Sequence, residues 1–151
     1  MNQSSLISRA RLGVILSFLT HGFISSSFFA RIPDYKARLE LSNTVLGLCL
    51  LASSAGVLAA LGPVGRLAAQ RGSSAVLTKS SYLLVFVAPF VGISFNAISF
   101  AVILFLFGVA IAAQDVCMNT HGVTLEQKSG ARYMGRFHAF WSVGALLGAI
   151  T

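Results

Sequence analysis

Of the four acidic residues in this sequence, Asp34, Glu40 and Glu126 lie in polar stretches, and Asp115 alone sits inside a long apolar run. An aspartate at the centre of a bilayer costs about 2.5–3.5 kcal/mol on insertion scales, so it demands a water-filled cavity, a partner or a proton. Desolvation favours the neutral acid, which suits reversible protonation. Near a helix end the same residue would be a solvated or ion-paired charge. Asn119 follows Asp115 by four residues and so shares its helical face, with Met118 and Gly122 close by. Gln114 is adjacent. His21 and Ser25 form a second i,i+4 polar pair, and His138 and Trp141 a third polar group downstream. Trp141 suits stacking on a ring as well as packing. Cys117, His121 and His138 offer metal-binding atoms, but without a second cysteine pair they fall short of a zinc-type ligand set. No metal or cofactor is therefore expected. No Gly-x-Ser-x-Gly, Walker loop or paired carboxylates occur, so no catalytic residues and no enzyme are expected.

The elements that carry these residues are set by composition. The chain has 151 residues, 56% of them hydrophobic and only 10% charged. Ordinary globular proteins carry about 25% charged residues. So few charges exclude both a soluble surface and intrinsic disorder. Cys49 and Cys117 both lie in apolar runs, which excludes a disulfide scaffold. The net charge of +7 is not a nucleic-acid signature, because the basic residues form no continuous face and instead punctuate apolar runs.

A bilayer core of about 30 Å needs about 20 apolar residues as helix. The runs at 12–32, 44–64, 75–95 and 97–124 qualify, and a fifth begins at 137 and is still apolar at 151. The fold class expected is all-α and polytopic: four helices plus the start of a fifth, the N-terminal part of a longer protein. Ser42 or Asn43 suits a helix cap, and Gly62, Pro63, Gly65 and Gly72 are expected to break the chain between the second and third spans. The link near 94–96 is short and uncharged, which predicts a tight hairpin. A polar loop is expected over 126–136, where Glu126 would latch Arg71, Arg132 or Arg136 or remain solvated.

With the N-terminus in the cytoplasm, Arg9, Arg11, Arg66, Arg71, Lys79, Lys128, Arg132 and Arg136 fall inside, against Arg31, Lys36 and Arg38 outside. Arg9 and Arg11 ahead of an apolar run also have the outline of a secretory signal peptide. The remainder would still hold three spans, however, and Thr20, His21 and Ser25–Ser27 suit a cavity face. At an offset of 88 residues, 14–16 aligns with 102–104, and Gly47, Ser54, Gly56 and Leu58 align with Gly135, Ser142, Gly144 and Leu146. That offset pairs span one with four and two with five, as inverted three-helix repeats require. Gly144 and Gly148, and the 53–56 cluster, suit close helix packing.

The stretch Gly65-Arg66-Leu67-Ala68-Ala69-Gln70-Arg71-Gly72 resembles the G-x-L-x-D-R-x-G loop motif of the major facilitator superfamily, matching at Gly65, Leu67 and Gly72, with Arg71 beside the first basic position and Ala69 in the acidic one. Phe107-Gly108, Asp115 to Asn119, Gly122-Val123, Glu126 and Phe137 to Ala149 resemble helices four and five of that superfamily, most of all a branch similar to fucose permease. Ala30-Arg31-Ile32-Pro33 and Leu46-Gly47 fit the same branch.

The resemblance implies a twelve-helix fold in two halves and passage of a small polar solute, such as a sugar, by alternating access. Helices one, four and five would line the cavity, here with His21, Ser25, Gln114, Asp115, Asn119, His138 and Trp141, and Asp115 would couple protons. Gly65, Leu67, Arg71 and Gly72 would control switching at the cytoplasmic surface. The expected partners are the solute, protons, the lipid bilayer and the C-terminal half of the same protein, with no nucleic acid, in an inner or plasma membrane. A membrane-embedded enzyme and a non-transporting scaffold are the alternatives. The orientation has a direct test: in intact cells a membrane-impermeant thiol reagent should label Lys36→Cys and spare Ser129→Cys, and the reverse pattern would invert the topology.

Overall fold

The computed structural model describes residues 3–151, and among these the chain is entirely helical. The elements are α1 (Gln3–Ala30), α2 (Ile32–Arg38), α3 (Asn43–Arg71), α4 (Ser73–Gly92), α5 (Ala97–Ser129) and α6 (Met134–Ile150). Four stretches are long and apolar enough to cross a membrane: Ser5–Ala30, Asn43–Arg71, Ser73–Gly92 and Ala97–Ser129. Their outward side chains are apolar as well. Leu58 is 72% exposed and Phe86 67% exposed, which is a lipid-facing pattern and not a water-facing one.

Chain chemistry sets the helix ends. Ser42 caps α3, its Oγ accepting from the Val45 amide at 3.3 Å. Asn96 and Ser99 form a reciprocal capping box at the start of α5, with Ser99 N donating to Asn96 Oδ1 at 2.8 Å. Gly130 closes α5 in the left-handed region, at φ 69°. Outside the four long helices, the short α2 folds back so that Tyr35 lies against Phe28 and Phe100, with ring centroids 6.0 and 5.5 Å apart. Burial among these rings raises the Tyr35 pKa.

The link between the second and third spans differs from expectation. Gly62, Pro63 and Gly65 do not break the chain: α3 continues through Pro63 to Arg71, and Gly72 alone separates it from α4. In an apolar setting each backbone group left outside a helix costs several kcal/mol, so the helix persists until charged residues bring it to water. Gly72, at φ 83° and ψ 138°, does need to be glycine. The polar loop is also shorter than expected, since α5 runs on to Ser129 and α6 starts at Met134. The first helix begins well before residue 12 and stops at Ala30, where Pro33 opens α2.

α5 is the hub, touching α1, α3, α4 and α6. Two crossings are closest, α1 with α6 and α3 with α5. In the first, a methyl on Gly22 would strike the Trp141 carbonyl oxygen, and one on Gly144 would strike the Leu19 carbonyl oxygen. In the second, Gly108 sits on the Ser53 carbonyl and Gly56 on that of Phe105. Each glycine therefore rests on the carbonyl three residues before its partner glycine, in both crossings. Gly56 and Gly144 are the pair that the 88-residue repeat aligns, so the repeat has a counterpart in packing geometry. Small residues permit this approach, and Cα–H···O contacts add about 0.5–1 kcal/mol each.

The same substitution should thus have opposite signs at two sites. Gly144→Ala should destabilise by about 1–3 kcal/mol through overpacking. Gly13→Ala, with nothing within 4 Å of the added carbon, should be neutral or stabilise by about 0.5–1 kcal/mol. Thermal unfolding in detergent reads both, and equal shifts would remove the crossing from the list of stability determinants.

Candidate functional site

The seven polar residues singled out from the sequence fall into two groups. Asp115 and Asn119 on α5, with His138 and Trp141 on α6, lie on exposed or half-buried surface. His21 and Ser25 on α1, with Gln114 on α5, are buried.

Asp115 is 18 residues from the start of α5 and 14 from its end, roughly 27 and 21 Å at 1.5 Å per residue. It is thus far from either helix terminus. The Asn119 amide donates to Asp115 Oδ1 at 3.1 Å and to the Asp115 carbonyl at 2.9 Å. A single neutral donor cannot neutralise a carboxylate, so the exposed position is where the charge is tolerable. On α6, His138 Nδ1 is 3.0 Å from the Met134 carbonyl. With the proton on Nδ1 it donates there, leaving Nε2 as a free acceptor. Its ring meets Phe18 edge-on at 5.1 Å.

The buried group is under-satisfied. Gln114 Nε2 donates to Ser81 Oγ of α4 at 3.0 Å, yet Gln114 Oε1, His21 Nδ1 and Ser25 Oγ have no hydrogen-bond partner among the described residues. Buried polar atoms are rarely left unpaired, and each one points to a water, a ligand or a function. Gln114 therefore faces inward toward α4, on the other side of α5's polar run from its neighbour Asp115. Sequence reading did not single out Ser81, because the adjacent pair Ser80-Ser81 carries no spacing that points to a partner on another helix.

The remaining candidates occupy the end that holds the basic residues. Gly65, Leu67 and Arg71 lie on the last turns of α3, and Gly72 is its cap, so this motif is helical and not a loop. Gly65 has open space where a side chain would go, so close approach does not explain it. Ser73 Oγ pairs with His121 Nδ1 at 3.1 Å, tying the start of α4 to α5. Cys117 is in the core with Val14, Phe18 and Phe137. Glu126 has a more specific place than a surface latch. Its Oε1 accepts from the Tyr133 amide and, at 2.8 Å, from the Met134 amide, so it caps α6 across the α5–α6 turn.

Comparison with known proteins gives a consistent picture. The chain is 33% identical over 134 residues to an uncharacterised MFS-type transporter of Yersinia pestis, a match spanning 89% of this chain and 35% of that protein. It is 30% identical over 137 residues to an uncharacterised transporter of Sinorhizobium fredii, covering 91% of this chain and 36% of that protein. It is 31% identical over 144 residues to the membrane protein MosC of Rhizobium meliloti, covering 34% of it. The chain thus spans about a third of the length of the curated relatives it matches. No protein-family model matches it, and no solved structure does. With four membrane-length helices and these homologues, it is a multi-pass membrane protein.

The two-group arrangement predicts accessibility. Cys49 and Cys117 are buried and give little background. A small water-soluble maleimide should modify Asp115→Cys and His138→Cys readily and Gln114→Cys slowly. Equal rates at all three would dissolve the distinction.

Proposed function

We propose that this homologue of MFS-type transporters forms part of a secondary transporter that carries a small polar solute, such as a sugar, across the cell membrane by alternating access. The observation that carries the reading is the exposed carboxylate of Asp115, far from either end of α5 and bonded by Asn119. A carboxylate at that depth suits reversible protonation, so the transport is proton-coupled with Asp115 as the coupling acid. Asn119, His138 and Trp141 share the exposed surface and face the solute path. His21, Ser25 and Gln114 form the polar layer behind it.

Further parts of the reading follow from the charge pattern and from the resemblance to the fucose-permease-like branch. The N-terminus is cytoplasmic, which places Arg66, Arg71, Lys128 and Arg136 inside. The stretch Gly65 to Gly72 governs conformational switching, because it lies at a helix end away from Asp115. The rest of the transport path comes from chain beyond these helices. Transporter homologues weigh against the enzyme and scaffold alternatives.

The test is Asp115→Asn in the whole protein carrying this sequence. Asparagine keeps the shape and the bond to Asn119 but cannot release a proton. Uphill accumulation should be lost while downhill flux or exchange persists. If the variant still accumulates solute with the original pH dependence, Asp115 is not the coupling site.

A further inference from the structure

α1 and α6 run side by side in the same direction: Leu19 meets Gly144, and Phe23, one turn further on, meets Gly148. Their starts therefore lie at one membrane surface. There a cavity of about 190 Å³ opens between them, lined by Arg11, Ile15, Tyr133, Arg136, Phe137 and Phe140. Two guanidinium groups from different helices share it, and no acidic side chain lines it. The acid nearest in sequence, Glu126, accepts from the Tyr133 and Met134 amides instead. Tyr133 positions one of the cations: the Arg11 guanidinium carbon lies 5.6 Å from its ring centroid, and that ring meets Phe137 at 6.0 Å.

The lining is ordered along the membrane normal. Ile15 follows Arg11 by four residues, and Phe140 follows Arg136 by four, so each arginine has an apolar side chain one turn deeper on its own face. Both arginines stand one residue before an apolar run. The cleft is thus charged on the water side and apolar toward the bilayer, on both of its walls. A single basic residue at the end of a span needs only water around it; two that converge above a shared apolar wall make a place for an anion with an apolar tail.

Other occupants use half of this arrangement. A free inorganic anion would meet the arginines and leave Ile15 and Phe140 unused. An acyl chain alone would lie beside two uncompensated charges. An anionic phospholipid uses both halves: its phosphate accepts from planar guanidiniums that suit bidentate bonds, and its chains continue along Ile15 and Phe140. The volume is below the roughly 300 Å³ of pockets that enclose a small molecule whole, which suits a headgroup phosphate with the chains left in the bilayer. We infer that the cleft between the starts of α1 and α6 binds an anionic phospholipid, its phosphate on Arg11 and Arg136. This needs only that the two helices stand in a bilayer, in either orientation, and nothing of the transporter reading.

The purified whole protein is titrated in neutral detergent with dioleoylphosphatidylglycerol, with dioleoylphosphatidylcholine and with water-soluble glycerol phosphate, and its melting temperature is followed. Phosphatidylglycerol should raise it saturably, and the other two should not. Arg11→Gln with Arg136→Gln should raise the half-saturating lipid concentration about tenfold or more. Lys79→Gln, which removes an exposed charge from α4, should leave it unchanged. Arg136→Gln alone keeps the test decisive should the double variant not fold. It removes a cation from the first turn of α6, where the helix dipole disfavours one, so stability without lipid should hold or rise while the lipid response weakens. Equal stabilisation by phosphatidylcholine overturns the assignment, as does stabilisation by glycerol phosphate, which would make this a soluble-anion site. Arginine variants that respond like the parent, or no more weakly than Lys79→Gln, overturn it as well.

Discussion

Two glycine-on-carbonyl crossings hold this chain together, and most of what matters in it is measured from them. Lipid tails supply no hydrophobic drive between helices, so association depends on how closely backbones approach. Gly22 against Trp141 and Gly144 against Leu19 fix α1 on α6; Gly56 against Phe105 and Gly108 against Ser53 fix α3 on α5. The polar residues ride on these contacts. His21 is next to Gly22, Trp141 itself supplies a contacted carbonyl, and Ser53 supplies another. Neither crossing can slide without moving the polar groups beside it.

Polar groups in an apolar chain must each find an answer, and the chain uses three. Helical serines and threonines such as Ser17, Thr78 and Thr124 turn their hydroxyls back to their own helix. Ser73 with His121, and Gln114 with Ser81, tie α4 to α5. Asp115 instead takes an exposed position and one bond from Asn119. A hydrogen bond to a charged group is worth about 1.5–3 kcal/mol, similar to the insertion cost of about 2.5–3.5 kcal/mol. One such bond therefore leaves little surplus over that cost. The atoms left without a partner among the described residues, on His21, Ser25 and Gln114, are all buried.

The end that gathers most of the basic residues is built differently. Gly72 joins α3 to α4 through a single residue, and Glu126 joins α5 to α6 by capping the second helix from the first. Both turns are short and tied by backbone geometry, so α3 with α4 and α5 with α6 are linked as pairs at that end. α1 reaches across the pairs, packing on α4, α5 and α6, and α5 packs on both α3 and α4.

Composition and run length by themselves determined that the chain is helical and membrane-spanning, because about 20 apolar residues without charge have few other stable homes. They also determined which acid is exceptional, since Asp115 needs no partner to be identified, only its apolar neighbours. Spacing gave a cap at Ser42 or Asn43, of which the fold uses Ser42, and the face shared by Asp115 and Asn119, both of which are local. What spacing misjudged was the α3–α4 link: glycine and proline signals calibrated on water-exposed backbone overstate the break at Gly62 to Gly65 when unpaired backbone is too costly to expose. Tertiary structure alone decided that Gln114 faces α4 while Asp115, its neighbour, faces outward. It alone decided that Glu126 bonds the backbone amides of Tyr133 and Met134, and that the Ser25 hydroxyl is buried with no hydrogen-bond partner among the described residues. For Glu126 the turn into α6 brings the amides; for Gln114 and Ser25 the outcome depends on which side chain of another helix arrives at a given height. That is fixed by the glycine crossings, and by no property of the residue's own neighbours in sequence.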